Sequence, residues 1–266
     1  MNAPLTSTNV LSVAMQEGLQ PNPVLTEGKG EPVVYLHGLL GQEWNGLLGA
    51  LAKSRRVLAP AHVGIAEADD LRQFDGFHDL VLYYDDLFDR LGLDQFDLIG
   101  HSFGGMVAAE YAAVFNKRVR KLVLIDPLGL WRDDLPVSDY LLLPPEKQNE
   151  LLIGDPANEA VQAKVAVPED QQQMIDQMLG RMMSVAGASH FIWPIPERGL
   201  AKRLPRIKAK TLIVWGAEDK FVPGAYAQDF AGRIADARIE VIGGAGHSPH
   251  IEREADTVQK IAGFLG

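Results

Sequence analysis

Short apolar runs, each closed by turn-forming residues, recur along the chain. They occupy 32–36, 57–59, 96–99, 119–125, 211–215 and 238–242. Runs this short, bounded by Gly, Pro or Asp, predict strands buried on both faces. Between them the apolar period lengthens. Leu80, Tyr83, Tyr84, Leu87 and Leu91 fall on one side of a helix over 80–91. Further helices are predicted over 106–115, over 223–234 with Pro223 in its first turn, and over 252–264. Strands alternating with helices imply an α/β chain with a mostly parallel, doubly wound sheet. The first 20 residues alternate weakly and predict an edge strand or an ordered extension.

The alternation stops once. Residues 127–205 show no strand–helix beat and are punctuated by Pro144-Pro145, Pro194, Pro196 and Pro205. Within them, Met174, Met178 and Met182 recur at helical spacing over 171–183. The reading is a helical cap, 127–205, inserted after the sixth strand into a core formed by 1–126 and 206–266. An insertion after a strand's C-terminal end lies over the sheet edge where ligands bind in such folds. The methionines then serve as packing between cap helices or as the wall of an apolar pocket.

Composition narrows the chemistry. Among 266 residues there is no cysteine, which excludes a disulfide framework, a thiolate metal site and a cysteine nucleophile. Thirty-five acidic against 25 basic residues give a formal charge of −10, so nucleic acid is not an expected partner. The basic stretch 202–210 reads as a solvated linker face or a local anion or partner patch. Nothing reads as a membrane span, and the N-terminus lacks the basic and apolar regions of a signal peptide. A cytoplasmic enzyme, monomeric or homodimeric, is the expectation. No cofactor or metal is implied: no His-x-x-x-His pair is present, and the Gly-rich 100–105 stretch lacks the ending of a phosphate loop.

The strongest chemical signal is Gly100-His101-Ser102-Phe103-Gly104. It follows a predicted strand and opens a predicted helix, the context in which Gly-x-Ser-x-Gly presents a nucleophilic hydroxyl. Ser102 is the candidate nucleophile, and His101 is a structural or pocket-lining residue. Of seven histidines (37, 62, 78, 101, 190, 247 and 250), His247 follows the last strand and is the candidate base. His250, beyond Pro249, is its competitor and is expected to pack or cap. Asp219, after the strand that follows the insertion, is the candidate acid that orients the imidazole. Asp126, at the end of the strand after the nucleophile, and Glu218 are the alternatives. The amides of Phe103 and Leu39 are the expected oxyanion donors, with His37 fixing the loop that carries Leu39. Leu40, Trp44, His101, Met178, Met182, His190 and Trp193 are candidates for the pocket.

These motifs, in the order Ser102, Asp219, His247 and with Leu36-His37-Gly38 and Gly246-His247, resemble the α/β-hydrolase superfamily from Pro32 to the C-terminus. The resemblance implies acylation of Ser102 and hydrolysis of the acyl-enzyme. Carboxylesterases, cleaving small to medium esters, are the first expectation. The alternative is the carbon–carbon bond hydrolases that act on vinylogous diketones (meta-cleavage products). The latter usually carry a Gly- or Ser-rich loop after His-Gly and a tryptophan after the histidine, where this chain has Leu39-Leu40-Gly41 and Ser248. Such an enzyme also needs a polar cap residue for the substrate carboxylate, for which Arg181 is the candidate. A haloperoxidase-like side activity shares the same triad, and a non-catalytic scaffold is the reading outside enzymes.

Overall fold

The computed structural model describes residues 9–65, 67–166 and 168–266, without the side chains of 141, 145, 146 and 163–165. Eight strands form one sheet: β1 (Asn9–Val13), β2 (Asn22–Glu27), β3 (Pro32–Leu36), β4 (Arg56–Pro60), β5 (Phe96–His101), β6 (Val119–Ile125), β7 (Lys210–Gly216) and β8 (Ala237–Ile242). Their spatial order is β1-β2-β4-β3-β5-β6-β7-β8. β1 pairs antiparallel with β2, and β2 with β4; all other pairings are parallel. The N-terminal edge strand expected from weak alternation is thus β1, while residues 1–8 lie outside the described residues.

Side chains alternate across each central strand and so divide the core into two layers. Val34, Leu36, Leu98, Leu122, Leu124, Ile213 and Trp215 face one layer. Val33, Tyr35, Ile99, Val123, Ile125, Leu212 and Val214 face the other. Helices α1 (Gly46–Ala52) and α10 (Glu254–Leu265) cover the second layer. Helices α2 (Phe77–Arg90), α3 (Phe103–Val114) and α8 (Tyr226–Ala231) cover the first.

Several boundaries differ from the sequence reading. α3 begins directly after Ser102, three residues before the apolar period becomes visible, because Gly104 and Gly105 carry no apolar signal. The helix expected over 223–234 shrinks to Tyr226–Ala231. The last helix, expected over 252–264, is α10, and a separate short turn, α9 (Pro249–Glu252), precedes it. β8 is an edge strand, and Val241 is 61% exposed rather than buried.

The cap lies between β6 and β7. It holds α4 (Pro145–Leu152), α5 (Glu159–Val165), α6 (Gln171–Ile192) and α7 (Leu200–Arg203). Asp170 caps α6 by accepting the Gln173 amide. Only the C-terminal half of α6, through Ser184, Gly187, Ala188 and Phe191, is buried against the core layer. Its N-terminal half leaves the methionine face in solvent. No helix among the described residues is long and apolar enough to cross a membrane.

Candidate active site

Ser102 stands at the junction of β5 and α3 with φ 55° and ψ −116°. A positive φ is costly for a residue with a side chain, about 1–3 kcal/mol, and persists only where neighbours enforce it. Here Ser102 donates its amide to Ile125 O at 2.9 Å, and its carbonyl accepts from Met106 and Leu128 at 3.1 and 3.0 Å. The elbow also approaches β3 closely. A Cβ on Gly104 would lie 2.2 Å from Leu36 O, and one on Gly100 would lie 2.3 Å from Gly104 O. Both glycines are therefore fixed by space rather than by the reaction.

Three loops converge on this serine at the carboxyl edge of the sheet. His247 Nε2 lies 2.8 Å from Ser102 Oγ, and its Nδ1 lies 2.8 Å from Asp219 Oδ2. The His247 and Asp219 side chains are almost wholly enclosed. Asp219 Oδ1 accepts the Phe221 and Val222 amides at 2.8 and 3.0 Å, which leaves Oδ2 aimed at the imidazole. A hydroxyl donor, a ring nitrogen accepting it and a carboxylate holding the opposite N–H form a proton path from Ser102 to His247. Of the three acids weighed, Asp219 holds the imidazole. Asp126 is buried behind it with Oδ1 on the Gly216 amide at 2.9 Å, and Glu218 is exposed.

Among the described residues, neither the Leu39 nor the Phe103 amide is tied to an acceptor. The 37–39 loop is held by a histidine pair. The His62 Nε2–H donates to His37 O at 2.7 Å, and the His62 amide donates to His37 Nε2 at 3.1 Å. His37 Nε2 is thus the acceptor, and its Nδ1–H lies 2.8 Å from Gly38 O. The Tyr84 hydroxyl donates to His62 Nδ1. Burial pushes His62 down to about 4, so the ring is neutral, as one donor and one acceptor nitrogen require.

His101 is turned away from the serine hydroxyl. Its Nε2–H donates to the His247 carbonyl at 2.7 Å, which steadies the His247 backbone. Burial holds its pKa well below the usual histidine range. Its ring packs on that of His250, whose Nε2 lies 3.2 Å from the Tyr35 hydroxyl. With Leu40, Tyr35 and Ser248, His101 lines a small cavity behind the 37–39 loop.

Other pocket candidates lie elsewhere. Met178, Met182 and Trp193 are 56%, 59% and 45% exposed. The helical spacing of the methionines marks a face, and the tertiary fold turns that face to solvent. Trp44 packs against the opposite core layer beside α1. His190 Nε2 is hydrogen-bonded to Phe74 O at 3.0 Å and ties the cap to the core.

Glu252 is the residue that sequence reasoning missed. Its Oε1 accepts the Gly246 and Ser248 amides at 3.0 and 3.3 Å, on either side of His247. Its Oε2 accepts the cap amides of Gly154 and Asp155 at 2.8 and 3.3 Å. Gly154 and Gly246 meet backbone to backbone, a Cβ on Gly246 falling 2.3 Å from Gly154 N. A glutamate five residues after the histidine carries no signal by itself, since these donors come from two distant segments. Glu252→Gln should place an NH₂ against two of the four amides. Stability should fall by about 1–3 kcal/mol and turnover by about tenfold, read by thermal unfolding and steady-state kinetics.

Asp126, Asp219 and His247 also offer ligand atoms that all lie within 4.8 Å of one another. His247 Nδ1 and Asp219 Oδ2 are already joined to each other, and Asp219 Oδ1 accepts two amides. This pattern suits a proton network rather than a cation cage.

A family profile described as alpha/beta hydrolase fold matches residues 31–254. The 2-hydroxymuconate semialdehyde hydrolase of Pseudomonas sp. (strain CF600) is 27% identical, over 100% of this chain and 97% of that protein. A meta-cleavage product hydrolase from Pseudomonas fluorescens IP01 superposes with TM-score 0.72 at 21% identity, covering 92% of this chain and 94% of the other. Naproxen esterase from Bacillus subtilis superposes with TM-score 0.73 at 18% identity, covering 98% and 92%. The capped sheet, the strained serine between β5 and α3 and the match over most of the sequence agree: the chain belongs to the α/β-hydrolase fold family, with structural similarity to both an esterase and a meta-cleavage product hydrolase.

Proposed function

We propose that the protein is a serine hydrolase that attacks a substrate carbonyl through Ser102 and cleaves a carbon–carbon bond of a vinylogous diketone bearing a carboxylate. The observation that carries the mechanism is the continuous link from Ser102 Oγ through His247 to Asp219, 2.8 Å at each step. His247 Nε2 takes the Ser102 proton as Oγ bonds to the carbonyl carbon. The Leu39 and Phe103 amides receive the developing oxyanion. Collapse breaks the bond to the leaving carbon, which takes the proton back from His247. Water, deprotonated by the same imidazole, then releases the acid from Ser102.

The substrate class draws its support from the full-length similarity to a 2-hydroxymuconate semialdehyde hydrolase and from a cation in the cap. Arg181 donates to Tyr140 Oη at 2.8 Å and to Asn149 Oδ1 at 3.0 Å. The Tyr140 ring packs on Phe221 at 5.7 Å between centroids, and Phe221 packs on His247 at 4.8 Å. A guanidinium two ring contacts from the base suits the carboxylate of an acidic substrate. Arg181→Met should raise KM for such a diketone by about tenfold and leave KM for a neutral p-nitrophenyl ester nearly unchanged. Equal effects on both substrates would contradict the assigned role.

Ester cleavage is the second reading. Ser248 after the histidine and Leu39-Leu40 after His37-Gly38 depart from the usual carbon–carbon hydrolase pattern. The deciding experiment compares kcat/KM for a vinylogous diketone with a panel of p-nitrophenyl esters of rising chain length. Faster turnover of the diketone supports the first reading. A clear preference for one ester length replaces it with the second.

A further inference from the structure

Asp126 is a buried carboxyl group without a task in the mechanism above. It directly follows β6 with φ 42° and is fully buried. Oδ1 accepts the Gly216 amide at 2.9 Å. Oδ2 is enclosed and meets no hydrogen-bond donor among the described residues; the side chain that faces it is the Asp219 carboxylate. The group beside it is Asp219, within the 4.8 Å cluster completed by His247. The further charge that reaches it, Glu252, is also acidic. Two ionised carboxylates enclosed together would repel with little screening. One proton between them replaces that repulsion with a charge-assisted O–H···O⁻ bond.

The surroundings decide which acid holds the proton. Asp219 accepts two backbone amides and the His247 N–H, so its oxygens already serve as acceptors. Asp126 accepts one amide. Burial and the neighbouring Asp219 charge push the Asp126 carboxyl well above the usual carboxylate range.

We propose that Asp126 is a positioning residue: a neutral carboxylic acid whose Oδ2–H donates to Asp219 and braces it against His247. The proposal rests on the reading of Ser102, His247 and Asp219 as the working triad. Its chemical consequence runs through Asp219. A donor on that carboxylate spreads its charge and weakens its hold on imidazolium. Asp126→Leu removes the donor. It should lower kcat by about tenfold and move the acid limb of the kcat/KM profile to higher pH. Asp126→Asn should rescue both, because its amide N–H can donate to Asp219 while its oxygen accepts from Gly216.

Two readouts need no turnover and so separate this proposal from the functional reading. A difference infrared spectrum, native protein minus Asp126→Asn at neutral pH, should contain the C=O stretch of a protonated carboxyl. Thermal unfolding supplies the second. An acid whose pKa is raised on folding binds more protons folded than unfolded, so its stabilising contribution is complete below 3.8 and is lost as pH rises through the folded value. The Tm of Asp126→Asn minus that of the native protein should therefore grow from acid towards neutral pH. A missing carboxyl band with a pH-independent Tm difference would overturn the proposal. So would an Asp126→Asn variant as inactive as Asp219→Asn. If Asp126→Leu does not fold, the infrared and Tm measurements on Asp126→Asn decide.

Discussion

Ser102→Ala should lower kcat/KM by about 10⁶-fold, the scale on which removal of an activated serine nucleophile acts. The substitution keeps the Cβ and the strained backbone at φ 55° and deletes only Oγ. What is lost is the attacking atom and its 2.8 Å link to His247 Nε2. The Leu39 and Phe103 amides stay in place, so a residual rate of about 10³–10⁴ over water is expected from binding and oxyanion stabilisation. The elbow is held by the main-chain bonds of Ser102 with Ile125, Met106 and Leu128. Tm should accordingly move by no more than about 4 °C. Turnover measured beside thermal unfolding checks both halves, and a loss of less than tenfold with an intact fold would remove Ser102 from the mechanism. Loss of labelling by an organophosphonate probe in the variant is the independent control.

The second large effect is expected for Asp219→Asn, about 10⁴-fold in kcat. The reason lies in the two backbone amides. Phe221 and Val222 donate to Oδ1, so an asparagine must keep its oxygen there and turn its NH₂ towards His247. Nδ1 then becomes an acceptor, the ring proton moves to Nε2, and Nε2 no longer has a lone pair for the Ser102 proton. The base is present in the wrong tautomer. Raising pH should not restore the rate, because the fault is orientation rather than protonation. A kcat–pH profile distinguishes the two: recovery to near native rates at high pH would show that Asp219 acts only through its charge.

The loop after β8 is tied firmly to its surroundings. His247 receives a bond at its carbonyl from His101, and the amides flanking it bond to Glu252. The same glutamate grips Gly154 and Asp155 of the cap, and Asn158 donates to the Glu252 carbonyl at 2.8 Å. The His247 loop and the cap therefore share one anchor. A cap residue in this contact is expected to influence proton transfer as well as substrate binding.

The strand–helix alternation was legible in the chain because buried parallel strands are short and uniformly apolar, and both properties are local. The same holds for the elbow. Gly100 and Gly104 are needed for close backbone approach, so the motif is visible without knowledge of the fold. Helix ends were less legible. The start of α3 and the break between α9 and α10 depend on Gly104, Gly105 and Arg253, residues with no apolar period. Exposure of the methionine stripe on α6 was not legible either: periodicity marks a face, and only packing says whether anything covers it.

By itself, then, the sequence determined an α/β sheet with one long interruption, a serine at a strand-to-helix turn, and the order of the groups that follow it. Tertiary structure decided which partners that serine meets. His247 rather than His250 reaches Ser102 across 145 residues of chain. Asp219 rather than Asp126 reaches the imidazole, and Asp126 is left behind it. Glu252 gathers amides from the histidine loop and from the cap, of which Gly154 lies 98 residues away along the chain. The physical reason is common to all three. Secondary structure follows from the periodicity of neighbouring residues, whereas a hydrogen-bond network depends on which loop ends the folded sheet brings within about 3 Å of one another.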